Sequence, residues 1–162
     1  MSAPSVGQSE RRSGALLEYL ARRMRLRSES VLAPLGLRPR HLVALTVLRD
    51  AGGIGQQALA STLQIDSTNM VGLLNDLEAA HLVERRRSPE DRRRHDVFLT
   101  ETGASRLGEA ECALASAEEE VLGALGPAER DQLYELLRRA TSGAPASCAA
   151  AVTDEAELDA SC

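Results

Sequence analysis

Residues 66–100 read DSTNMVGLLNDLEAAHLVERRRSPEDRRRHDVFLT, and the change of period within them decides the fold. Met70, Leu73, Leu74 and Leu77 fall at i, i+3, i+4 and i+7, the spacing of one apolar face of a helix. Asp66 precedes this run as a helix N-cap. Past His81 the period drops to about two. HLVERRR and RHDVFLT then read as strands on either side of a tight SPED turn, with Pro89 supplying turn chemistry. Six arginines lie between Arg85 and Arg94, three on the entering strand and three at the tip and start of the returning one.

Upstream, GQQALASTLQ predicts a short helix with Leu59, Ala60 and Leu63 on one face, separated from the Asp66-capped helix by a tight connection. RPRHLVALTVLRDAGG predicts another, with Leu42, Leu45, Val47 and Leu48 as its apolar positions and Gly52-Gly53 as its end. From Ser13, read as an N-cap, SGALLEYLARRMRLRSESVLAPLG predicts a first helix with an apolar stripe of Leu16, Leu17, Leu20, Met24, Leu26 and Val31, ending near Pro34 and Gly36. Downstream, TGASRLGEAECALASAEEEVLGAL predicts a long helix broken by Gly126-Pro127, and PAERDQLYELLRRA a last one with Pro127 at its first position. Residues 1–12 read as a flexible N-terminus and 141–162 as a disordered acidic tail. The expected fold is mainly α with a small β wing: a winged helix-turn-helix flanked by N- and C-terminal helices.

The chain has 162 residues, which suits one domain. Its aromatics are Tyr19, Phe98 and Tyr134, so the core must be built from Leu, Ala and Val. Net charge is -5, unevenly spread: residues 1–100 carry 15 Arg against 11 acids, and residues 101–162 carry 4 Arg against 13. The pattern is that of a basic working half joined to an acidic scaffold. Cys112, Cys148 and Cys162 show neither metal-ligand spacing nor a disulfide framework. With no apolar leader or membrane-length run, a cytoplasmic location is expected. Neither cofactor nor metal is expected. His95 and Asp96 are strand neighbours whose side chains point to opposite faces, so catalysis finds no acid–base pair there.

Two short helices followed by an arginine-tipped hairpin suit double-stranded DNA. A recognition helix fits the roughly 12 Å wide major groove, and arginine is favoured in a narrow minor groove. The exposed positions of the fourth helix are Ser67, Thr68, Asn69, Val71, Gly72, Asn75 and Asp76. Asn pairs with adenine, Ser and Thr bond bases or phosphates, and Val71 can meet a thymine methyl. Gly72 implies either a close backbone approach to DNA or a tight helix–helix contact. Asp91 is expected to hold the Arg93 guanidinium in place. Arg85, Arg86, Arg87, Arg92 and Arg94 are the candidate phosphate contacts.

The span from LGLRPRHLVALTVL to LASTLQIDSTNMVGLLNDLEAAHLVERRRSPEDRRRHDVFLTETG resembles the MarR family of winged-helix transcriptional regulators. The pieces that carry the resemblance are Leu59-Ala60, LQID at the turn, LLNDLE in the recognition helix, LVERR entering the wing, DRR at its tip and LTETG leaving it. It covers about residues 13–140. It implies a homodimer whose first and last helices (13–35 and 103–140) interlock, with a DNA-binding lobe over 39–100 and its wing over 83–100. Each subunit of such a repressor reads half of an inverted repeat. By the same resemblance, Asp91 and Arg93 match the wing-tip pair, with Arg93 in the minor groove. Ser67 to Asn69, Gly72 and Asn75 fall on the DNA-facing part of the recognition helix. The resemblance further implies a small-molecule effector cleft between the dimerisation helices and the lobe, which Arg25 and His41 could line. This chain departs from the family pattern in two places: His81 stands where Gly is usual, and Gly72 where a basic or polar contact residue is usual.

Two alternatives accompany this reading. A winged helix can serve as a protein-interaction module without DNA. Peroxide-sensing relatives use a reactive cysteine near the first helix, where this chain has none. Cys112, in the long helix, is read either as a redox site or as a small buried hydrophobe.

Overall fold

The computed structural model describes residues 12–89, 91 and 93–141. The expectations for the N-terminal segment before Arg12, for the tail from residue 142 onward with Cys148 and Cys162, and for Arg92 lie outside the described residues. Among these residues six α-helices and three strands follow one another as α1 (Ser13–Leu32), which runs into a 3-10 turn at Ala33–Leu35, α2 (Pro39–Ala51), β1 (Ile54–Gly55), α3 (Gln56–Thr62), α4 (Ser67–Ala79), β2 (Val83–Arg87), β3 (His95–Leu99), α5 (Glu101–Val121) and α6 (Pro127–Ala140). This is the mainly α architecture with a small wing that the period change predicts.

Helix α2 is the centre of the lobe. Pro39 occupies its first turn, and Gly52 ends it in the left-handed conformation at φ 65°. His41, Leu42, Val43, Ala44, Leu45 and Leu48 are all buried, a wider set than the expected stripe, because α4, α5 and β3 all pack against this helix. Val47, expected in the core, is only half-buried. Leu45, Leu59, Leu74, Val97 and Leu107 bring α2, α3, α4, β3 and α5 into a single core. Removing the bulk of such a leucine costs about 2–5 kcal/mol.

Between α3 and α4 the chain turns at Gln64, which takes φ 51°. The Ile65 N–H closes the turn on the Ala60 carbonyl at 3.0 Å. The Asp66 cap forms as expected, its carboxylate accepting from the N–H groups of Thr68 and Asn69 at 3.0 Å each. At the far end of α4, His81 adopts φ 58°, taking the left-handed role that glycine usually fills.

The sheet is antiparallel in the order β1-β3-β2. Its β2–β3 register pairs Val83 with Leu99, Arg85 with Val97, and Arg87 with His95. Strand β1 was not foreseen: it pairs Ile54 with Val97 and Gly55 with Asp96, and two residues are too few to show a period. Gly53 sits beside it at φ 126°, where a Cβ would fall 2.3 Å from Phe98 Cε1, so the ring packs on bare backbone.

The wing root is joined tightly to α5. Thr100 caps this helix by accepting from the Gly103 N–H at 2.9 Å, while its hydroxyl donates to the His81 carbonyl at 2.7 Å. The Thr100 N–H donates to the Leu82 carbonyl at 3.1 Å. Gly103 packs so closely there that a Cβ would lie 2.0 Å from that carbonyl oxygen. Helix α5 ends at Val121, before the Gly126-Pro127 break that the sequence predicts, and the chain passes through Gly123 to α6.

Helix α1 begins at Ser13, with Arg12 rather than Ser13 in the cap position, and runs beside α5. Arg27 pairs with Glu120 at 2.6 Å and Arg49 of α2 with Glu111 at 2.7 Å. The predicted stripe on α1 is only partly covered: Leu16 is 71% exposed and Leu26 56%, and Tyr19, outside the stripe, is exposed as well. On α6, Tyr134, Leu136 and Leu137 are exposed too. Among the described residues no single helix is long and apolar enough to cross a membrane.

Candidate nucleic-acid interface

The outward face of α4 carries the residues expected there. Ser67, Thr68, Asn69, Val71, Gly72 and Asn75 are exposed, opposite the buried Met70, Leu73, Leu74 and Leu77. Among the described residues nothing lies within 4 Å of a Cβ built on Gly72, so of its two sequence readings the helix–helix contact is not made there. The face is electrostatically prepared at its start. Asp66 accepts from the backbone and side-chain amides of Asn69 and from the Thr68 N–H, and these bonds hold its carboxyl below the usual carboxylate range. That cap occupies the N–H groups of Thr68 and Asn69. It also commits the Asn69 amide nitrogen to Asp66 Oδ2.

Arg85, read from sequence as a phosphate contact, is placed otherwise. Its partner across the sheet is the buried Val97, which puts it on the inner face of β2, beside α4. Its Nε donates to Glu78 Oε2 at 2.9 Å, and its Nη2 donates to the same oxygen and to Asn75 Oδ1, each at 2.5 Å. The Arg85 backbone N–H donates to Glu78 Oε1 at 3.2 Å. The guanidinium bond holds the Glu78 carboxyl below its usual range and raises Arg85 in return. Half-buried and doubly bonded, this arginine fastens the wing root to the recognition helix. Neither Glu78 nor its pairing with Arg85 was read from the sequence. The only signal was an acid late in the helix, seven residues before an arginine.

Arg86 also has partners within the chain: it pairs with Glu84, and its guanidinium lies 4.8 Å from the centroid of the Phe98 ring. Arg87 is exposed at the end of β2 opposite His95. At the tip, Asp91 Oδ1 accepts from the Arg93 backbone N–H at 2.9 Å. Asp91 was expected to grip the Arg93 guanidinium. A carboxylate two residues upstream instead reaches the main chain, the geometry of an Asx turn. The Arg94 N–H donates to the Asp91 carbonyl at 2.9 Å and the Ser88 N–H to the Arg94 carbonyl at 3.0 Å, closing the turn with Arg93 exposed. Arg94 Nη2 reaches back to Gln57 Oε1 of α3 at 3.4 Å, a tether absent from the sequence reading. An open groove of about 910 Å³ lies between this wing and the start of α3.

The two residues expected in an effector cleft are not brought together in a described cavity. His41 is buried at the start of α2, where its Nδ1 accepts from the Arg38 N–H at 3.3 Å and its Nε2 stands 3.9 Å from Asp76 Oδ2. Burial lowers its pKa, with Asp76 acting in the opposite direction. The cavity beside it, about 240 Å³, is lined by Arg38, Arg40, Thr68, Asn69 and Asp76 and so lies against the recognition helix. Arg25 is exposed on α1 and does not line it. Cys112, read as a possible buried hydrophobe, is exposed on α5. Among the described residues no His, Cys, Asp and Glu cluster has the grouping of a metal site.

A short helix, a tight left-handed turn, a capped second helix and a three-stranded sheet with an arginine at its tip define a winged helix-turn-helix protein. The family model for MarR matches residues 37–95. A putative transcriptional regulatory protein for the hcr operon of Thauera aromatica is 34% identical over 104 residues, 64% of this chain and 63% of its own. The HTH-type transcriptional repressor NicR of Pseudomonas putida is 34% identical over 97 residues, 60% of this chain and 61% of its own. The chain thus spans about three-fifths of the length of these curated relatives. Among solved structures, the transcriptional repressor CouR bound to a 23-mer DNA duplex is 31% identical, covering 86% of this chain and 99% of that one with a TM-score of 0.68. The chain belongs to the MarR family.

Proposed function

We propose that this protein is a sequence-specific DNA-binding transcriptional regulator that acts as a homodimeric repressor on an inverted repeat. The observation that carries the reading is the uncovered face of α4, with its small polar side chains and bare Gly72, fastened through Arg85 to a wing whose tip leaves Arg93 exposed. In this reading α4 enters the major groove and Arg93 the neighbouring minor groove, while Arg87 and Arg94 meet phosphates. The relatives named above are themselves a regulator and two repressors, and one of them was solved on a DNA duplex.

The dimer is supported by the apolar side chains that α1 and α6 leave in solvent, Leu16, Tyr19, Leu26, Tyr134, Leu136 and Leu137. Two copies joined there present two recognition helices to half-sites about 10 bp apart.

Selection of bound duplexes from a random pool tests the reading. A palindromic motif is the expected outcome. Absence of enrichment at low salt would favour the protein-interaction alternative.

A further inference from the structure

Resting on the DNA-binding reading, we propose that Arg85 acts as a positioning residue that fixes the polarity of Asn75, so that Asn75 reads a hydrogen-bond acceptor edge, guanine first and thymine second, rather than adenine. An arginine side chain has donors and no acceptor. The atom of the Asn75 amide that faces Arg85 Nη2 at 2.5 Å is therefore its oxygen. The amide nitrogen then points away from the guanidinium with its two N–H groups free to donate. Glu78 holds Arg85 in that pose through Nε and Nη2, and a third bond from Glu78 to the Arg85 backbone fixes the strand as well. Asn75 thus meets a base with its donor end presented.

In the major groove guanine offers two acceptors, O6 and N7, and thymine offers O4. Adenine sets a donor amino group beside its N7, and cytosine presents a donor. The usual Asn–adenine pair needs oxygen and nitrogen side by side facing the base. Here the oxygen is turned to Arg85. Asn69 provides an internal contrast: its amide nitrogen donates to Asp66, so it is oriented by a carboxylate and not by Arg85.

The test runs wild type, Arg85→Lys and Asn75→Ala through the same random-duplex selection, with affinities for single duplexes measured across a salt series. Lysine keeps the positive charge and can still meet Glu78, but lacks the fork that reaches both partners. Wild type is expected to select guanine or thymine at one position of each half-site, by about tenfold over adenine. Asn75→Ala is expected to erase the preference at that position alone. Arg85→Lys is expected to admit adenine there, with the remaining positions and the salt slope unchanged.

Adenine or cytosine selected by wild type at the position that Asn75→Ala erases would overturn the assignment, as would an Asn75→Ala motif identical to wild type. So would an Arg85→Lys protein that binds every duplex more weakly by a common factor and loses about 0.9 from the slope of log K against log salt, the mark of a phosphate contact. Asn75 is exposed, so its substitution decides the base assignment even if Arg85→Lys fails to fold. If wild type yields no motif at all, the DNA-binding reading itself falls, and the base assignment with it. A motif with the wrong base at this position sinks the assignment alone.

Discussion

Single positions in the wing and its root set the sharpest expectations. Arg93 stands exposed on a turn that Asp91 builds through the main chain. Arg93→Ala is therefore expected to lower operator affinity at least tenfold at fixed salt while leaving the melting temperature unchanged, as read by fluorescence anisotropy beside a thermal scan. Gly103 has the opposite character. With a Cβ 2.0 Å from the Leu82 oxygen and 2.7 Å from Leu99 Cδ1, Gly103→Ala must push backbone apart. A loss of about 3 kcal/mol is expected, measured by urea unfolding. Sequence showed some of this and hid the rest. The Asp66 cap follows from local rules and was legible, whereas the left-handed place of His81 came only through the resemblance, as a position where glycine is usual. Gln64 at φ 51° was not legible, because glutamine gives no turn signal. Nor was the inward pull on Arg85, which needs Glu78 to arrive from another element.

Pairs of elements carry the pH response. His41, at the start of α2, accepts a hydrogen bond at Nδ1 from the Arg38 N–H, so a proton at Nδ1 would displace that bond. Burial lowers its pKa below the ordinary 6.5. The unfolded chain therefore takes up a proton at about 6.5 while the folded chain does not, and stability falls as pH drops below that value until the folded pKa is reached. The lowered carboxyls of Asp66 and Glu78 act in a separate window: their stabilisation is present above the ordinary carboxylate values, about 4, and is lost as pH falls through the folded ones. Between pH 7.5 and 5.5 the urea midpoint of wild type is thus expected to drop, and that of His41→Gln to change much less. At this scale the helices and the β2–β3 hairpin were legible, since each is long enough to show its period. Strand β1 was not: two residues have no period, and what makes them a strand is the edge that β3 offers.

For the molecule as a whole, the stripe on α1 was visible in the sequence, yet nothing in the chain says what covers it, because the proposed cover is a second copy. Leu16→Glu combined with Leu137→Glu is expected to give a helical monomer at micromolar concentration by analytical ultracentrifugation, with operator binding lost. An unchanged dimer would place the interface elsewhere. The acidic second half, 13 acids against 4 Arg, keeps attraction for a polyanion on the wing side, so binding should weaken steeply with salt, by about 0.9 in log K per tenfold salt for each phosphate met.

The joint between Leu82, Thr100 and Gly103 has a mechanical consequence. Bonded at the Thr100 hydroxyl and N–H and packed without a Cβ, it leaves no hinge between the wing root and the first turn of α5. The 21 residues of α5 then form a rod about 31 Å long fixed to the winged-helix lobe. Swinging that rod by about 5° about its far end carries the lobe through about 3 Å, by the same helix length. In the proposed dimer, a shift of an ångström or less where the two copies meet would thus be geared up into a change of spacing between the two wing-bearing lobes, large enough to take them out of register with consecutive grooves.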